Sequence, residues 1–104
     1  MGKPVIALAV LFQLALAAAG VAAEHVVVVS EMKFGPVPAE VHVGDTIIWQ
    51  NDDVFRHTAT AEDGSFDIDL PAKTSASMVV TDAGSFAFYC RFHPGMTGTL
   101  AVVP

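Results

Sequence analysis

From Glu24 to the C-terminus the chain is built of short β-prone runs separated by turn residues every eight to twelve positions. Thr46 to Asn51 is the clearest: Ile47, Trp49 and Asn51 fall on one face, and Thr46, Ile48 and Gln50 on the other. His25-Val26-Val27-Val28-Val29 is a β-branched run that predicts a strand covered on both faces. Met32-Lys33-Phe34 alternates before Gly35-Pro36-Val37-Pro38 breaks it, and Glu40 to Val43 leads into a Gly44-Asp45 turn. Further strands are predicted at His57–Thr60, Ala76–Thr81, Ser85–Cys90 and Thr99–Val103, and Ala61 to Lys73 as an irregular surface excursion. No helical period outlasts one turn. The pattern predicts an all-β sandwich or barrel of about seven to eight strands.

The first 23 residues follow a different rule. Lys3 is their only charge, Val5 to Leu16 is apolar apart from Gln13, and Ala17 to Ala23 is a run of small residues. That is the layout of a secretory signal peptide, with cleavage expected after Ala23 and alternatives after Ala22 or Ala19. A retained anchor is the competing reading, disfavoured because the alanine-rich half is weakly hydrophobic for a bilayer span. The sequence therefore divides into a signal peptide at 1–23 and one domain at 24–104. It implies export to a periplasm and no lasting membrane association.

The remaining residues carry eleven acids against four bases (Lys33, Arg56, Lys73 and Arg91), a net charge of −7. Such a balance offers no basic face for phosphates and excludes a nucleic-acid partner. A domain this small often needs a staple, and with a single cysteine an internal disulfide cannot form. A lone thiol in an oxidising compartment is buried, paired between chains or bound to a metal.

The metal option gains weight from what surrounds the thiol. Phe86, Phe88 and Cys90 share one strand face; His93 follows three residues on and Met96 three beyond that, across a turn containing Pro94 and Gly95. Thiolate, imidazole and thioether around one point suit copper in both its Cu(I) and Cu(II) states. His57, at the start of its own strand, is the candidate for a second imidazole. Singly, each residue has a plain explanation: a buried thiol, surface imidazoles and a gap-filling methionine. Together these would be four coincidences.

Cys90-x-x-His93-x-x-Met96 with an upstream histidine resembles the cupredoxins, the small blue copper proteins that include plastocyanins and azurins. Phe34-x-Pro36, Val43-Gly44-Asp45-Thr46, Trp49-x-Asn51-x-Asp53, His57-Thr58 and Gly84-x-Phe86-x-Phe88-x-Cys90 extend the resemblance over nearly the whole domain. The short ligand loop is most similar to that of the amicyanin group. The resemblance implies a Greek-key sandwich and one type 1 copper ion per chain. His57, Cys90 and His93 would be equatorial ligands and Met96 the long axial one. It also implies that His93 is the electron port, within a docking patch of Phe34, Pro36, Pro94 and Phe92. Two departures stand out: Phe55-Arg56 directly precedes the histidine, where Arg56 brings a positive charge toward the metal. Thr58 occupies a position where many relatives have an asparagine tying the ligand loop, a job the threonine is expected to do in a weaker form.

The function expected is a one-electron carrier, a monomer docking transiently with a redox donor and acceptor near His93. The alternative is a copper-binding module for storage, delivery or tolerance. A copper oxidase or nitrite reductase would need further histidines, and the chain has four with no His-x-His pair, so no enzyme is expected. His42 is expected at the surface and His25 at a strand edge. Cleavage after Ala22 would place His25 third from a free amine, where Ala23-Glu24-His25 could wrap Cu(II). Trp49, Phe66, Phe86 and Phe88 are expected in the core, and Glu62, Asp63, Asp67 and Asp69 on a solvated face.

Overall fold

The computed structural model describes residues 21–104; the segment read as a signal peptide lies, up to residue 20, outside the described residues. Nine strands make up the regular structure of these residues: β1 (Glu24–Ser30), β2 (Lys33–Phe34), β3 (Val41–His42), β4 (Thr46–Asn51), β5 (His57–Ala61), β6 (Asp67–Leu70), β7 (Ser75–Val79), β8 (Gly84–Tyr89) and β9 (Thr97–Val103). They form two sheets, one ordered β2-β1-β4-β7 and the other β3-β9-β8-β5-β6. Both sheets are mixed, since β1 runs parallel to β4 and β3 parallel to β9 while the other pairs are antiparallel. The all-β sandwich predicted from the alternation is the fold observed.

Each sheet turns one face inward. β4 alternates as the sequence requires, with Ile47, Trp49 and Asn51 buried. Trp49 meets Phe88 of the other sheet edge-on at 5.1 Å between ring centroids, and Phe34 meets Phe88 at 4.8 Å. Such edge-to-face contacts add to the area these rings bury. Phe88 in turn lies over Gly98 of β9, its register partner, where a Cβ would come within 2.4 Å of the ring. A side chain at 98 would push out the residue that leads β8 to Cys90.

Two local expectations are corrected. β1 is not covered on both faces: Val27 and Val29 are fully buried while Val26 is exposed, so it alternates like an ordinary sandwich strand. β6 lies inside the stretch read as irregular, pairing antiparallel with β5 from His57↔Leu70 to Thr60↔Asp67. Asp67-Ile68-Asp69-Leu70 has period-two alternation, but its acids and the nearby Gly64 and Pro71 mask it.

Candidate metal centre

The connection from β4 to β5 is held from its first residue. Asn51 is buried, and its amide nitrogen donates to the carbonyls of Phe55 and Leu70 at 2.9 Å each and Pro71 at 3.2 Å. Its oxygen accepts from the Asp53 amide at 2.9 Å. One side chain thereby folds the loop back on itself and delivers His57 to the start of β5.

Asp53 does the next part of the work. Its carboxylate accepts the amides of Glu31 at 2.7 Å and Met32 at 3.0 Å. These two residues form the β1–β2 turn with φ of 52° and 61°, a left-handed conformation unfavourable for side chains other than glycine. Asp53 also lies 2.8 Å from His57 Nε2. Burial pushes this carboxyl up, but the Met32 amide, the His57 ring and the Glu31 amide outweigh it and hold it below the ordinary value.

His57 is fully buried and directs its other nitrogen, Nδ1, to within 3.6 Å of Cys90 Sγ. Cys90 is also fully buried, just past the end of β8, and His93 Nδ1 lies 3.8 Å from the same sulfur. The donor atoms of His57, Cys90 and His93 all lie within 4.8 Å of one another. The turn that closes the group is stitched by backbone bonds from His93 N to Cys90 O (3.2 Å), Met96 N to His93 O (2.9 Å) and Cys90 N to Met96 O (3.1 Å). Met96 is buried in the same cluster as Cys90. Sulfur and nitrogen donors each about 2.0–2.3 Å from one ion, at trigonal to tetrahedral angles, stand about 3.5–3.8 Å apart. The observed spacings fit an ion bound between them.

Thr58 ties the loop as expected, and in two ways. Its amide points to Cys90 Sγ at 3.4 Å, and its hydroxyl accepts the Arg91 amide at 2.9 Å. Arg56 does not aim a bare charge at the site. It makes a two-pronged pair with Asp69 at 2.9 Å and stands 5.5 Å from the Phe92 ring centroid.

Around His93 the surface differs from the patch expected. Phe34 is partly buried and turns its ring inward against Trp49 and Phe88. The aromatic ring beside His93 is Phe55, 6.4 Å away and half exposed, with Val54 exposed next to it and Phe92 exposed after Cys90. His93 itself is partly buried, and its ring centroid is 5.1 Å from that of His57. Sequence reasoning missed two residues. Asp53 entered only as part of the Trp49-x-Asn51-x-Asp53 resemblance, with no role of its own, although a carboxylate four residues ahead of a candidate ligand was the available signal. Phe55 passed as a departure, although an aromatic in a polar loop was the sign of a surface use.

At the opposite end, His42 is exposed as expected. His25 Nε2 is 2.8 Å from Asp45 Oδ2, and the Ala23 amide donates to Asp45 Oδ1 at 2.9 Å. A Cu(II) site wrapped by Ala23-Glu24-His25 does not fit this arrangement. Those nitrogens must converge on one ion, whereas Glu24 and His25 are extended in β1 and in register with Thr46 and Ile47.

Two imidazoles and a thiolate gathered at one end of a β-sandwich make a donor set suited to a single soft metal ion. Residues 4–102 match the model of the cupredoxin-like domain, and the chain belongs to that family. It is 31% identical over 94 residues to amicyanin from Paracoccus versutus, covering 84% of this chain and 71% of that protein. Its fold is similar to a Cu(I) form of an amicyanin variant, with 27% identity, a TM-score of 0.64, and 76% and 81% of the two chains covered. It is also similar to part of a copper-containing nitrite reductase from Thermus scotoductus, at 26% identity and a TM-score of 0.67. That match covers 77% of this chain but 22% of the reductase. Copper is the cofactor of the family.

Proposed function

We propose that the chain is an exported small blue copper protein that carries single electrons between a redox donor and an acceptor. One type 1 copper ion would be held by His57, Cys90 and His93 as equatorial ligands and Met96 as the axial one. The observation that carries this reading is the convergence of His57 Nδ1 and His93 Nδ1 on the buried Cys90 sulfur, at 3.6 and 3.8 Å. When bound, copper supplies the exchange of one electron between its Cu(I) and Cu(II) states.

The chain's own residues supply the rest. The Asp53–His57 contact, the Thr58 bonds and the backbone-stitched turn fix the donors before metal arrives, so little has to move when the charge changes. His57 and Cys90 are shut off from water, while His93 reaches toward a surface edged by Phe55 and Phe92. A small apolar patch beside a ligand is enough for a brief redox encounter. The net charge of −7 steers that encounter toward a basic partner, less so at high ionic strength. Export to a periplasm as a monomer rests on the leader-like residues 1–23 and on a lone thiol that a metal would protect. No catalytic role is proposed: the likeness to the nitrite reductase covers 22% of that chain.

The test is a Cu(II) titration of the purified 24–104 protein, followed through reduction and reoxidation, with Cys90→Ser alongside. An intense thiolate-to-copper band that saturates at one equivalent, bleaches reversibly and is missing from Cys90→Ser is the expected result. Absence of the band overturns the site, and copper lost in the first reduction cycle favours storage or delivery instead.

A further inference from the structure

Behind the ligand turn, β5, β6 and the start of the turn are joined by a closed ring of hydrogen bonds. The Arg91 amide donates to Thr58 Oγ1 at 2.9 Å, and Thr58 Oγ1 is 2.9 Å from Thr60 Oγ1. Thr60 Oγ1 donates to Asp67 Oδ1 at 2.7 Å, and Arg91 Nε returns to that same oxygen at 3.1 Å. Both threonines are buried, whereas the Asp67 and Arg91 side chains stand at the surface.

The directions in this ring are fixed by chemistry. An ionised carboxylate only accepts, so the Thr60 hydroxyl must give its proton to Asp67. Thr60 oxygen is then the acceptor for the Thr58 hydroxyl, and Thr58 oxygen in turn the acceptor for the Arg91 amide. The chain is one-way, each bond polarising the next, and it starts at a negative charge. It ends on the peptide between Cys90 and Arg91. The carbonyl of that peptide accepts the His93 amide, and the amide of Thr58 points to the Cys90 sulfur at 3.4 Å. One surface carboxylate is thus connected, through two buried hydroxyls, to the backbone of two candidate ligands.

We propose that Asp67, acting through Thr60 and Thr58, is a positioning residue that fixes the Cys90 thiolate and sets the reduction potential of the centre. The inference rests on the copper site argued above. By holding Thr58 and the Cys90–Arg91 peptide in register, the ring keeps the Thr58 amide on the sulfur. An amide hydrogen bond withdraws charge from a thiolate and so favours the reduced metal. Breaking the ring loosens that bond and shifts the balance toward the oxidised form. An Arg–Asp pair this exposed contributes little to stability by itself, so its value here is geometric.

The experiment compares the copper-loaded wild type with Thr60→Val, Thr60→Ser and Asp67→Ala, by redox titration and by the thiolate-to-copper band. Thr60→Val keeps the shape and removes the central hydroxyl. Asp67→Ala removes the carboxylate at the surface, where folding is not at risk. Each is expected to raise the oxidised-to-reduced ratio at a fixed potential about threefold, or about 28 mV at 59 mV per tenfold. Thr60→Ser is expected to restore the wild-type value. The double variant should shift no further than either single one, because both break the same chain. In the apo protein, Arg91 amide exchange should quicken at least tenfold in both variants. A folded Thr60→Val or Asp67→Ala protein with wild-type potential and band overturns the proposal, as do two shifts that simply add. A wild type without the band overturns the copper site and this inference with it. A wild type with the band and unmoved variants overturns this inference alone.

Discussion

Asp53 Oδ2 lies 2.8 Å from His57 Nε2, while Nδ1 of the same ring lies 3.6 Å from Cys90 Sγ. The ring is pinned at one nitrogen and presents the other. A histidine that donates to a carboxylate has its tautomer and its angle fixed, and it becomes a better ligand. Asp53 is itself fixed by the left-handed Glu31-Met32 turn, whose two amides it accepts. Asp53→Ala is therefore expected to weaken copper binding by about 10–100-fold while leaving all four proposed ligands in place. Competition against a chelator measures this; unchanged affinity would show that the contact is incidental.

Asn51 governs the same loop from further back. Replacing it by alanine takes this partner from the carbonyls of Phe55 and Leu70 and from the Asp53 amide, while the Pro71 carbonyl keeps its bonds from Thr74. The expected loss is about 1–3 kcal/mol of folding stability, since buried groups stripped of a hydrogen bond bear their full desolvation cost. Urea denaturation of the apo protein reads it directly. A loss below about 0.5 kcal/mol, inside the range of ordinary surface changes, would mean that water replaces the side chain.

What the sequence made legible follows a physical division. Period-two alternation in Thr46–Asn51 and in Phe86-Phe88-Cys90 is a one-dimensional signal, and it placed the core face and the thiol correctly. The cluster of His57, Cys90 and His93 was readable because donor chemistry restricts which residues can share one ion. β6 was hidden because its exposed positions are acids of low β-propensity, held instead by Arg56 and Arg91 from neighbouring segments. Asp53 and the Thr58–Thr60–Asp67 ring were hidden for a different reason: their meaning lies in contacts between strands. An aspartate four residues before a histidine is a weak local signal, and only the fold shows that its carboxylate reaches the ring.

Asp45 predicts the acid limit of the fold. It is buried and accepts the amides of Ala23 and His42 and the ring nitrogen of His25. The Ala23 amide, then the His42 amide and the His25 ring, hold its carboxyl far below the usual carboxylate range. Folding therefore favours the ionised form. The stabilisation is complete above the unfolded value near 3.9 and is lost only as pH falls toward the folded value well beneath it. The His42 amide and the His25 ring both lie within 24–104, so in that protein Asp45→Asn should still lower the melting temperature at pH 7, and the gap to wild type should narrow below about pH 4. A gap independent of pH from 7 to 2 would show that shape and not charge matters at this position.

Phe55 predicts how the site is approached. It is 54% exposed, which an aromatic ring in a polar loop would not be for the sake of the core, and its centroid stands 6.4 Å from that of His93. With Phe92 it borders His93, the proposed ligand nearest the surface, while the charges of Arg56 and Arg91 are matched by Asp69 and Asp67. The surface beside His93 therefore presents aromatic rings whose neighbouring arginines are charge-paired, even though the domain as a whole is strongly acidic. Encounter between two oxidised and reduced copies should depend on removing water from these rings, with repulsion between like-charged domains as the opposing term. Phe55→Ala is expected to leave the visible spectrum and melting temperature unchanged. It should slow electron self-exchange about tenfold, the equivalent of about 1.4 kcal/mol of lost contact. Raising the ionic strength should speed exchange in both proteins by screening the repulsion, and the ratio between them should stay constant. Self-exchange that is equally fast in Phe55→Ala would place the port elsewhere on the surface.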